Sequence, residues 1–179
     1  MTFIKTKLPG VMIIEIEPQT DERGFFARVF CAEEFAQHGL NGNVAQSSVS
    51  FNHHKGTLRG MHWQSPPHAE DKLVRCTAGS IFDVVVDIGA DSPHRGQWYA
   101  SELSAENRKM LYIPRGYAHG FLTLANNTEI FYQISTPYAP SATRGFRWDD
   151  PDVAIKWPLA PTVISARDRT YPNLREVIG

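Results

Sequence analysis

The stretch "SIFDVVVDIG", Ser80–Gly89, decides the class of the fold. Drawn as an extended strand, it places Phe82, Val84, Val86 and Ile88 on one face and Asp83, Val85 and Asp87 on the other. That period of two is the mark of a strand. The aspartates admit two readings. They are solvated on the outside of a sheet, or at least Asp83 points into a barrel holding a polar ligand. The second reading requires a cationic or histidine partner, because a buried carboxylate is costly alone.

Working outward, "GVMIIEIEP", "GFFARVF", "VAQSSVSFN", "TLRGMHWQ", "KLVRCTAG", "QWYASEL", "KMLYIP", "HGFLTLA" and "TEIFYQIST" also read as strands. Pro, Gly, Asn and Asp punctuate them. One helix is expected over "AEEFAQHGL", with Phe35 and Leu40 apolar and Gly39 as its stop, while "SAENRK" reads as a turn or a single helical turn. Ten short strands with so little helix predict an all-β protein, an antiparallel β-sandwich or barrel with a few short helices. No repeat, low-complexity segment or linker divides residues 1–179, so one domain is expected.

Of the 179 residues, 42% are hydrophobic and 21% charged, as in ordinary soluble globular proteins. Eighteen basic against 19 acidic side chains, net charge −1, exclude a global attraction to nucleic acid or an anionic membrane. Cys31 and Cys76 lack CxxC spacing, which predicts neither a disulfide framework nor a zinc site and fits a reducing compartment. The apolar run Val11–Ile14 before Glu15 is too short for a signal peptide core or a membrane span. A cytoplasmic location is expected.

Two stretches carry chemistry. In "GTLRGMHWQ", Gly56–Gln64, His62 reads as a metal ligand, a proton-transfer base or a satisfied core histidine. Strict alternation puts Arg59 on the opposite face from His62. Either a bulge or kink near Gly60 turns Arg59 round, or it reaches ligand from the strand's edge. In "PRGYAHGF", Pro114, Gly116 and His119 form a PxGxxH pattern that resembles the second motif of the cupin superfamily. That resemblance implies a cupin-type jelly roll with a ligand cavity inside. Metal-dependent cupins carry HxH in their first motif. Here the equivalent is His62–Trp63–Gln64, and Lys72 downstream would repel a cation, so no metal or other cofactor is expected. A histidine, a lysine, two tyrosines and several aspartates instead suit proton abstraction beside a carbonyl.

Over nearly its whole length the chain resembles the dTDP-4-dehydrorhamnose 3,5-epimerase family. The matching motifs, in family order, are "DERGFF", "GTLRGMHWQ", "KLVRCTAGSIFDVVVDI", "LSAENRKMLYIPRGYAHGF", "FYQISTPYAP", "WDDPDVAIKWP" and "SARD". The resemblance implies that His62 is the base, with Asp168 as its carboxylate partner, and that Lys72 stabilises an enolate at the C4 oxygen. It implies that Tyr132 is the general acid across the sugar, with Tyr138 shaping the pocket. Arg59 and His119 would contact sugar or diphosphate, and Arg23 and Gln46 the nucleotide. It also implies a homodimer with exchanged N-terminal strands, so that Arg23 serves the neighbouring site. His53, His54, His68 and His94 are expected to be exposed and without catalytic role.

Some positions depart from the family's usual pattern. Ser48 stands where asparagine is usual, Gly89 where arginine is usual, His94–Arg95 replace Thr–Phe, and Thr143 replaces a glutamate. These departures are expected at the nucleotide or sugar periphery, with Ser48 among the substrate-binding residues. The function implied is epimerisation at C3, C5 or both of a nucleotide-linked 4-keto-6-deoxy sugar. A related cupin 3,4-ketoisomerase and a non-catalytic sugar-nucleotide-binding cupin are the alternatives.

Overall fold

The computed structural model describes residues 1–178. Fourteen strands are present among them: β1 (Thr2–Lys5), β2 (Met12–Glu15), β3 (Gln19–Asp21), β4 (Gly24–Phe26), β5 (Gln46–Asn52), β6 (Thr57–Gln64) and β7 (Lys72–Ala78), then β8 (Ser80–Asp87), β9 (Trp98–Ser104), β10 (Met110–Ile113), β11 (Tyr117–Thr123), β12 (Thr128–Ile134), β13 (Thr143–Gly145) and β14 (Val163–Ile164). Three short helices accompany them: α1 (Ala32–Gln37), α2 (Ala166–Thr170) and α3 (Leu174–Ile178).

Two sheets face each other, in the orders β1-β2-β10-β7-β12-β5 and β13-β6-β11-β8-β9. All their pairings are antiparallel except that of β14, which lies parallel to β6. This is the expected jelly-roll sandwich. The chain leaves the first sheet at the end of β7 and enters the second at β8 through Gly79, whose φ is +72°. A side chain there would collide with Thr128, so the tight crossover needs glycine.

The faces of Ser80–Gly89 are arranged contrary to a simple polar-out reading. Ile81 and Val85 join Val74, Cys76, Leu111, Phe121 and Ile130 in the core between the sheets, so the aspartate-bearing face points inward. The wholly apolar face, Val84 and Val86, points away from the sandwich and is sealed by Phe146, Val153 and Leu174 from the C-terminal segment. A third cluster covers the back of the other sheet, where Phe35 of α1 and Leu40 pack on Met12, Ile14 and Tyr112. Both sheets are therefore buried on two faces over part of their area, and their strands read as nearly continuous apolar runs.

Nine of the ten expected strands match closely. The exception is "GFFARVF", of which only Gly24–Phe26 is extended, in a two-stranded hairpin with β3. The expected helix is α1, and the chain leaves it through Gly39 at φ +71°.

Candidate active site

A cavity of about 830 Å³ opens between the sheets, and Gln46, Ser48, Arg59, His62, Lys72, His119, Tyr132, Tyr138 and Asp168 all line it. How Arg59 comes to share this wall with His62 is visible in the pairing of β6 with β11. His62 lies opposite His119 and Arg59 opposite Phe121, so Gly60 and Met61 together face Gly120 alone. That is a β-bulge, and it turns Arg59 onto the face of His62. Gly60 has φ +135°, and a Cβ on it would lie 2.5 Å from the Gly120 Cα. Two glycines in contact make the bulge possible.

Asp168 arrives from the other end of the chain. β14 runs beside Thr57 and Leu58, Ser165 caps α2 by accepting the Asp168 N–H, and the first turn of α2 carries the carboxylate to β6. The His62 Nε2–H donates to Asp168 Oδ1 at 2.8 Å, leaving Nδ1 as the nitrogen with the free lone pair. Burial pushes the Asp168 carboxyl up, but the His62 hydrogen bond and charge, the Gly60 N–H and Arg167 together hold it below the usual carboxylate range. The ring of Tyr171 contacts the His62 imidazole edge-on.

A second histidine–carboxylate pair lies beside the first. His119 Nε2 is 2.7 Å from Asp83 Oδ1, both side chains are buried, and the other Asp83 oxygen has no hydrogen-bond partner among the described residues. The partner that the inward reading of Asp83 requires is thus His119. Asp83 itself does not line the cavity, so a direct substrate contact for it is corrected: it sits behind the imidazole that does. Tyr132 faces His119 ring to edge. Burial above all, with the Asp83 charge adding to it, raises its phenol well above the ordinary tyrosine range.

Lys72 is no surface lysine. Its side chain is 13% exposed and its Nζ lies 2.9 Å from Glu70 Oε1. Arg59 bonds neutral Asn52 through Nε at 2.9 Å and makes no ion pair among the described residues, so its guanidinium is open to an anion at the mouth. Gln46 fixes the Tyr138 backbone by accepting its N–H.

Other expectations divide. Arg23 is highly exposed, pairs with Asp21 on its own hairpin, and does not reach the cavity of its own chain. His53, His54 and His68 are exposed, whereas His94 is half-buried. Of the departures from the family pattern, Ser48 and Thr143 do line the cavity. Gly89, His94 and Arg95 do not: the Gly89 N–H and the Ser92 hydroxyl both donate to the Asp87 carboxylate, and Arg95 donates to the Ile178 carbonyl. Residues not singled out in the sequence also line the site, chiefly Gln64, Glu70 and Arg167. The only cue for Glu70 was its charge two residues before Lys72. Among the described residues no three His, Cys, Asp or Glu side chains converge as a metal-ligand set, and no helix is long and apolar enough to cross a membrane.

Comparison with known proteins bears on this cavity. The family described as dTDP-4-dehydrorhamnose 3,5-epimerase matches residues 5–176. A dTDP-4-dehydrorhamnose 3,5-epimerase of Methanothermobacter thermautotrophicus is 43% identical over 97% of this chain and 95% of its own length. The crystal structure of a dTDP-4-dehydrorhamnose 3,5-epimerase from Elizabethkingia anophelis superposes with a TM-score of 0.96 at 35% identity, covering 100% of this chain and 99% of that one. A dTDP-6-deoxy-D-glucose-3,5-epimerase from Legionella pneumophila, solved with dTDP-4-keto-L-rhamnose, gives a TM-score of 0.91 at 38% identity over 97% of this chain and 93% of that one.

Proposed function

The chain belongs to the dTDP-4-dehydrorhamnose 3,5-epimerase family, and from that membership and the cavity's geometry we propose how it works as an epimerase. Its substrate is dTDP-4-dehydro-6-deoxyglucose and its product dTDP-4-dehydrorhamnose. The observation that carries the reading is the convergence of the His62–Asp168 pair, Lys72 and Tyr132 on one cavity wall system.

The 4-ketone acidifies the C–H bonds at C3 and C5. His62 Nδ1 takes the proton, and the ionised Asp168 holds the imidazole in the required tautomer and stabilises the imidazolium. Lys72, with His119 nearby, stabilises the enolate oxygen. Tyr132, whose phenol is pushed up by desolvation, stays protonated and returns a proton to the opposite face, which inverts the carbon. Arg59 holds the sugar or diphosphate, while Gln46, Ser48 and Tyr138 form the nucleotide-side wall.

The protein acts as a cytoplasmic homodimer in which the β3–β4 hairpins are exchanged, so that Arg23 completes the neighbour's site. Supporting this, the hairpin is wholly exposed in the isolated chain, with Phe26 at 75%. Its product, still a 4-ketone, is a precursor of a deoxysugar donor for cell-surface polysaccharide.

Incubation in D2O with dTDP-4-keto-6-deoxyglucose, followed by NMR, tests the reading. Deuterium should enter at both C3 and C5 with inversion. Entry at one carbon only would reassign the protein as a mono-epimerase, and movement of the ketone without inversion would make it a ketoisomerase.

A further inference from the structure

We propose that Glu70 is a positioning residue that acts through Lys72, holding the ammonium where the enolate charge develops. The inference rests on the reading that Lys72 stabilises the enolate. It starts from Gln64, whose amide can face only one way: its Oε1 accepts the Ala139 N–H at 2.6 Å, and its Nε2 donates to the His68 carbonyl at 3.1 Å. A donor is therefore turned toward Glu70, and the Glu70 Oε2 accepts it at 2.7 Å. The other oxygen receives the Lys72 ammonium at 2.9 Å, and the two side chains are only 10% and 13% exposed.

A carboxylate beside a site that gains negative charge would oppose catalysis if its own charge were free. Here both of its oxygens are engaged by donors. What it supplies is geometry. A lysine side chain has many rotamers, and without a tether its ammonium would sample the open mouth of the cavity. Arg59 and Arg167, the guanidiniums on the same wall, are exposed and lie against the mouth, whereas the Lys72 ammonium is drawn inward. Gln64 also accepts the Ala139 N–H, so the same amide ties the loop after β6 to the loop that carries Tyr138.

A double-mutant cycle in kcat tests this. Glu70→Gln keeps the shape and removes the charge. Expected in the wild-type background is a kcat loss of about 10- to 100-fold, as for a displaced catalytic group, with KM and the Kd for dTDP nearly unchanged. In the Lys72→Gln background the same substitution should add less than about twofold, because residues acting as a unit are non-additive. Wild-type kcat in Glu70→Gln, or equal fold losses in both backgrounds, would overturn the proposal, the second result assigning Glu70 a role independent of Lys72. Wild-type kcat in Lys72→Gln would instead sink the underlying reading of the lysine. Melting temperatures confirm folding, and if Glu70→Gln does not fold, Glu70→Asp, which keeps the charge but withdraws it by one methylene, carries the same cycle with the same expected coupling.

Discussion

At the scale of single residues, the proposed mechanism assigns the two faces of the sugar to different groups, and their loss should differ in kind. His62→Ala removes the base, so both turnover and deuterium exchange should fall by about 10²- to 10⁴-fold, the usual contribution of a positioned base. Tyr132→Phe removes only the returning acid. His62 can still abstract and replace a proton on its own face, so exchange should persist while inversion falls. NMR of both variants in D2O checks this, and exchange lost to the same extent in Tyr132→Phe would end the division of labour. Asp168 makes a pH prediction. Its folded carboxyl ionises below the ordinary range, so the stabilisation it provides is complete above about pH 4, the usual carboxylate pKa. It disappears as pH falls through the lower folded value. Wild type should exceed Asp168→Asn in stability by roughly 1–3 kcal/mol at neutral pH, the cost of unpairing a buried hydrogen-bonded group. Urea titrations should find that gap shrinking as the pH falls below about 4.

At the scale of elements, the β6 bulge decides whether Arg59 and His62 serve one cavity. Gly60→Ala forces a side chain into a positive-φ site and against the Gly120 backbone, which has no flexible atoms to yield. A loss of at least about 2 kcal/mol is expected from strain and overpacking together. Binding of dTDP should weaken as Arg59 turns away, and an unchanged melting temperature with unchanged binding would mean that the bulge is dispensable. The bulge also marks where sequence reading stops. Alternation in Ser80–Gly89 shows a strand at once, but not which face is inside, because a C-terminal segment without periodicity covers the apolar side. Likewise alternation across "GTLRGMHWQ" shows the conflict between Arg59 and His62, yet only the pairing with Gly120 resolves it. Lys72 follows two acidic residues, Glu70 and Asp71, a run that in sequence alone has the look of a solvated surface. Their side chains diverge: Asp71 turns to Arg115, Asn41 and Ser135, and Glu70 turns into the cavity.

At the scale of the whole molecule, the site is assembled from segments more than a hundred residues apart, His62 and Asp168 among them. No local pattern connects them, and the family resemblance alone made Asp168 stand out in the sequence. The same separation raises the question of what the β3–β4 hairpin does, since its Arg23 stays outside its own cavity and its Phe26 is largely exposed. If hairpins are exchanged in a dimer, Arg23 of one subunit belongs to the site built around His62 of the other. Mixing tests this directly. Arg23→Ala and His62→Ala proteins should each be impaired, the first most clearly at low substrate concentration. In a mixed dimer, one site then combines an intact His62 with the neighbour's intact Arg23, and the other site carries both defects. Co-expressed and purified as the heterodimer, the pair should recover about half of the wild-type activity per dimer, since subunit sites here contribute independently. If Arg23 instead served its own chain, each site of the heterodimer would hold one defect. Activity would then stay near the mean of the two parents.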